Sequence, residues 1–129
     1  MKTKIGALIQ KGDYKAAYDE IKSNGLSFCF QSLPSIDAMQ MYCFLMYAVS
    51  KNETAEIHLS ICNYLYFMEP RITDNDSLIK WHLVRAFEVF HDENVLRNWI
   101  FGVYAGNPDC PFNDDELNYY RTFLNETTD

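Results

Sequence analysis

Glycine and proline are scarce in this chain, five and four among 129 residues. That scarcity excludes a low-complexity or disordered segment. The four cysteines (Cys29, Cys43, Cys62 and Cys110) form no C-x-x-C pair, which argues against a zinc ribbon and against a disulfide framework. Free thiols among apolar neighbours, as at Cys43 and Cys62, behave as small hydrophobes, and the expected compartment is a reducing cytosol. No run of about 18 apolar residues exists to cross a membrane, and the apolar stretch "KIGALIQ" is shorter than a secretory signal requires. Histidine is also rare. His58 and His82 have no partner at metal-ligand spacing, and Glu88-x-x-His91 is a single motif where a di-iron bundle needs two. No metal or other cofactor is expected.

Basic charge is the other shortage: 11 Lys and Arg face 18 Asp and Glu, a formal charge of −7. The imbalance grows along the chain, from +2 over residues 1–25 to −3 over 26–69 and −6 over 70–129. A surface this acidic repels phosphate backbones and favours a basic protein partner over nucleic acid.

What is abundant is apolar and aromatic, 48% and 16% of residues. A chain of this length is expected to form one domain, residues 1–129, that buries roughly 65–70% of its unfolded surface without a staple. Apolar residues recur at helical spacing nearly everywhere. The pattern predicts an all-α fold with helices near 2–11, 13–23, 35–50, 53–68, 75–90, 92–105 and 113–126. Asn24-Gly25, Ser35 and Glu69-Pro70 serve as stop and start signals, and "NDDE" (113–116) forms a cap with a Glu three residues on. The alternating stretch "LSFCFQSL" (26–33) reads as an extended connector. The third and fifth helices are apolar almost all round and are expected at the centre, flanked by one-sided neighbours.

Polar turns recur about every 40 residues, at Gly12-Asp13, Asn52-Glu53 and Asp92-Glu93. Ala17 and Ile21 after the first turn correspond to Ile57 and Ile61 after the second, with Leu96 and Trp99 nearest after the third. Three helix–turn–helix units at that spacing predict a right-handed, repeat-like stack of antiparallel hairpins. Within the first unit, Gly12, Asp13, Tyr14 and Ala17 resemble the interhelical turn of a tetratricopeptide repeat. That resemblance implies protein recognition rather than catalysis.

Size, acidity and the segment "NPDCPFNDDELNYY" give a second resemblance, to the small acidic immunity proteins that bacteria pair with toxins. It implies a non-enzymatic cytoplasmic protein that neutralises a cognate basic toxin by binding it. The expected contact residues are Asp109, Asp114, Asp115 and Glu116, which compete for the charge that the toxin's substrate would meet, and Phe112, Tyr119 and Tyr120, which anchor. One alternative is catalytic. Arg85 and His91, in "RAFEVFH", resemble the R-x(4–6)-H signature of the all-helical HEPN ribonucleases, in which Arg stabilises the transition state and His moves a proton. The other alternative is a repeat scaffold that holds a peptide in its groove.

Overall fold

Short polar side chains set where the helices begin and end. A computed structural model describes residues 2–26, 36–67 and 74–127. The described residues form α1 (Lys2–Gln10), α2 (Tyr14–Ser23), α3 (Ala38–Lys51), α4 (Ala55–Phe67), α5 (Asn75–Glu88), a π-helix (Val95–Tyr104) and α6 (Asp114–Thr127). They contain no strand. The fold is all-α, as the periodicity predicts.

Gly12, at φ 80°, ends α1, with the amide of Asp13 returning to the carbonyl of Leu8 (2.9 Å). Asp13 then caps α2 by accepting from the amide of Ala16 (3.3 Å). Gly25, at φ 64°, repeats the device at the end of α2, where the amide of Leu26 reaches the carbonyl of Ile21. Both are glycine-terminated helix ends that satisfy orphan carbonyls. Asp37 caps α3 and Thr54 caps α4. At α6 the expected reciprocal cap is present: Asn113 accepts from the amide of Glu116, and Glu116 accepts from that of Asn113, both at 2.9 Å.

Some boundaries differ from expectation. α3 starts at Ala38, three residues later than expected, with the carboxylate of Asp37 accepting the amide of Gln40, and the π-helix starts at Val95 rather than near 92. Ser35, most of "LSFCFQSL" and Glu69-Pro70 lie outside the described residues. The sixth helix is wound as a π-helix, its end marked by the amide of Ala105 bonding to the carbonyl of Ile100 five residues back (2.7 Å). Gly102 permits the wide winding, since a Cβ there would stand 2.6 Å from the carbonyl oxygen of Arg97.

The helices pack largely in chain order. α1 lies on α2, and both touch α3; α3 packs on α4, α4 on α5, α5 on the π-helix, and the π-helix on α6. The three polar turns fall between α1 and α2, between α3 and α4, and between α5 and the π-helix. The first two differ in backbone, however, with Gly12 at φ 80° and Asn52 at φ −157°, and the third is preceded by His91 at φ 56°. The paired positions Ala17, Ile21, Ile57 and Ile61 are all buried, as are Leu96 and Trp99.

The centre of the stack corrects one expectation. α4, not α3 or α5, is the most enclosed helix, with Ile57, His58, Ile61, Cys62, Tyr64 and Leu65 buried. α3 and α5 each turn one apolar face into the core, through Met41, Phe44, Leu45 and Ala48 and through Ile79, Leu83, Ala86 and Phe87. Their other apolar side chains stay at the surface: Met39 is 48% exposed, Trp81 is 50% exposed, and Cys43 is exposed rather than buried. An all-round apolar helix is expected inside. Here two of them leave apolar surface uncovered.

Candidate functional site

Buried polar groups are expensive unless they are paired, so where they meet is informative. His58 from α4 and His82 from α5 are both fully buried. Their Nδ1 atoms approach to 2.8 Å. His58 Nε2 lies 2.7 Å from Glu53 Oε2, and His82 Nε2 lies 3.0 Å from the hydroxyl of Tyr42 on α3. Outside this chain, Arg85 holds the same carboxylate with two prongs, Nε to Oε2 at 2.6 Å and NH2 to Oε1 at 3.0 Å. A continuous relay runs Tyr42–His82–His58–Glu53–Arg85 and ties α3, α4 and α5 together.

The protons of the relay follow from charge. Hydrogen bonds from Arg85 and then His58 hold the Glu53 carboxyl down at about 2, so it is ionised and only accepts. His58 therefore donates from Nε2 to that carboxylate. One proton lies between the two Nδ1 atoms, and the remaining nitrogen of His82 meets the hydroxyl of Tyr42. Burial, reinforced by His58, pushes the His82 imidazole down to about 3 and keeps it neutral. Burial also raises the Tyr42 phenol. Every nitrogen of the two rings has a partner.

Tyr42 is also on the wall of an open groove of about 580 Å³, lined by Met39, Tyr42 and Met46 of α3 and by Asp74, Ser77, Leu78 and Trp81 at the start of α5. This is the uncovered apolar surface of α3 and α5. Trp81 is braced from beneath by the relay, edge-on to His82 at 4.9 Å and to His58 at 5.8 Å between ring centroids. Asp74 occupies the cap position of α5 in the left-handed region (φ 58°), and its side chain makes no cap bond to the helix. A smaller groove of about 280 Å³ lies between α4 and the π-helix, beside Tyr66, Phe67 and Trp99.

The residues singled out near the C-terminal end divide into three sets. Asp109, Asp114, Asp115 and Tyr119 are exposed. Phe112 and Tyr120 are buried, at 4% and 5% exposure, edge-to-face with each other at 5.8 Å, with Tyr120 also edge-on to Phe87 of α5 at 5.6 Å. Such rings are core, not surface anchors, and burial pushes the Tyr120 phenol up to about 12. Glu116 is committed to Lys80 (2.8 Å) and to the α6 cap, and the Lys80 bond lowers its carboxyl. Of the seven, four are exposed at the surface.

Arg85 and His91 do not form a pair. Arg85 faces Glu53, while His91 lies past the end of α5 in a left-handed turn. Glu88 and His91 are likewise not on one helical turn. No group of three or more metal-ligating side chains occurs among the described residues.

Sequence reasoning missed the relay. His58 and His82 are 24 residues apart, and only packing of α4 on α5 brings them together. A signal existed: a histidine at an inward position on each of two adjacent apolar helices demands a buried partner. No family model matches the chain, and neither does any curated protein or solved structure at a significant level.

Proposed function

We propose that the chain is a non-catalytic protein-binding module, specifically a cytosolic immunity protein that neutralises a basic toxin by covering it. The observation that carries this reading is the exposed set Asp109, Asp114, Asp115 and Tyr119 around the start of α6. Lys80, whose ammonium reaches the start of α6, is engaged by Glu116. Exposed carboxylates speed encounter with a basic partner, and a half-exposed tyrosine offers contact area at small entropic cost. Phe112 and Tyr120 contribute from beneath, by holding α6 against α5. The exposed acids also favour the N-terminus of α6 electrostatically, so their replacement is read alongside helicity.

The test is co-expression with the product of the neighbouring gene. The chain is expected to rescue growth, to bind that product, and to lose on-rate on Asp114→Lys with Asp115→Lys, more so at low salt. Absence of rescue and of binding would remove the toxin reading. Unchanged association after the charge reversal, with helicity intact, would remove the acidic end as the contact.

A second reading, a scaffold that accepts a peptide, is favoured by one specific observation, the open groove between α3 and α5. The ribonuclease reading has no such support, because Arg85 is engaged by Glu53 on both prongs.

A further inference from the structure

The groove between α3 and α5 is built unlike ordinary leftover surface. Its walls carry the flexible, polarisable side chains Met39 and Met46 together with Leu78, a combination that adapts to apolar partners. At one side stands Trp81, a residue type that dominates binding energy where it is buried by a partner. Its ring is half-exposed yet not free to collapse inward, since the space beneath is filled by His58 and His82 at 5.8 and 4.9 Å. The relay thus presents the indole in a fixed pose, and a preorganised anchor costs less entropy on binding.

Among the described residues that line this apolar surface, one is charged, Asp74. The backbone carbonyl of Asp74 accepts from the amides of Ser77 and Leu78, as a helix-capping residue should. Its carboxylate makes no cap bond and no ion pair among the described residues, and its backbone is held in the left-handed region that a non-glycine residue adopts only under constraint. A carboxylate with no partner among the described residues, beside an apolar trough in a chain of net charge −7, selects for a cation.

We infer that this groove is a docking site for an amphipathic protein segment that places bulky apolar side chains against Met39, Met46, Leu78 and Trp81 and a lysine or arginine against Asp74. This inference rests on the binding-module reading and adds a second contact surface to it, separate from the acidic start of α6. The helix-in-groove mode fits the open shape, with apolar anchors spaced along one face of the incoming helix.

The probe is a helical peptide composed of leucine and lysine, compared with its leucine–glutamate counterpart, each titrated into the full chain while the two indole N–H signals are followed by NMR. Trp81 and Trp99 are distinguished by Trp81→Phe. The lysine peptide is expected to shift the Trp81 signal and not that of buried Trp99, and to lose about thirtyfold in affinity on Trp81→Ala. Asp74→Lys should weaken the lysine peptide and strengthen the glutamate peptide. Asp114→Lys with Asp115→Lys should change either affinity less than Asp74→Lys does. Equal binding of the two peptides, or binding indifferent to both Trp81→Ala and Asp74→Lys, would overturn the proposal. So would a Trp81 signal that moves on dilution of the free protein, which would make a second copy the occupant. Peptide docking without protection against the neighbouring gene's product would retire the toxin reading and leave the groove standing. Protection without docking would do the reverse.

Discussion

Acidification should weaken the fold before its carboxylates are involved, and the cause is His82. In the folded chain His82 stays neutral down to about 3, whereas in the unfolded chain it takes up a proton near its ordinary value of 6.5. Between those values the unfolded state binds one more proton, so stability falls as pH falls; above 6.5 this group contributes no pH dependence. The geometry gives the same sign independently. With two Nδ1 atoms 2.8 Å apart there is room for one proton between the rings, so two imidazolium ions cannot face each other there. At about pH 5 the deficit is about 1.5 pH units, or about 2 kcal/mol. Glu53 leaves this window clean, because its folded carboxyl lies near 2 and its unfolded value is 4.5, so its own loss of stabilisation begins only below the latter. Urea unfolding at about pH 7.5 and about pH 5, followed by fluorescence, measures the difference. His82→Phe is the control. It should cost about 1–3 kcal/mol at neutral pH by stranding His58 Nδ1 and the Tyr42 hydroxyl, and it should flatten the dependence between the two pH values. An unchanged urea midpoint in the wild-type chain, or an equal acid loss in His82→Phe, would refute the reasoning.

Glu53→Ala should destabilise by about 1–3 kcal/mol, because it leaves a buried histidine N–H unpaired. Arg85→Ala should cost clearly less than Glu53→Ala, since that side chain is 44% exposed and keeps its water; urea midpoints compare the two. Gly102→Ala, a change that usually strengthens a helix, should lower the melting temperature, because the new methyl would meet the Arg97 carbonyl at 2.6 Å; overpacking of that kind costs about 1–3 kcal/mol. Tyr120→Ala should cost about 3–5 kcal/mol by opening a hole beneath α6, while Tyr119→Ala should lie within about 1 kcal/mol of wild type. Any loss of partner binding in Tyr120→Ala should therefore track unfolding, whereas in Tyr119→Ala it should appear with the thermal transition unmoved.

Much of the architecture was legible because helix periodicity and capping are local. The Asn113–Glu116 box, the glycine at the end of α2 and the polar turns between helices are written in stretches of a few residues. The winding of the sixth helix was not legible. Val95, Trp99 and Val103 suit an ordinary stripe, and the wider coil becomes evident only through the carbonyl that Gly102 accommodates. The candidate site was less legible still. "NPDCPFNDDELNYY" places acids and aromatics side by side in sequence, yet Phe112 and Tyr120 turn inward while Asp114, Asp115 and Tyr119 turn outward. Which way a ring faces depends on Phe87, a residue on another helix. The groove was hidden for a related reason: an apolar helix looks buried in sequence, and nothing local to α3 or α5 tells which of its faces lacks a neighbour.

The relay also has one fixed end. Arg85 keeps the Glu53 carboxylate ionised, so the carboxylate only accepts and His58 spends its Nε2 proton on it. A single proton fits between the two Nδ1 atoms, and His82, held neutral by its burial, has one nitrogen left for the Tyr42 hydroxyl. A guanidinium at the surface is thereby linked, four contacts away, to a hydroxyl on the groove wall, and a segment seated in the groove meets an oxygen whose hydrogen bonding is shared with the core.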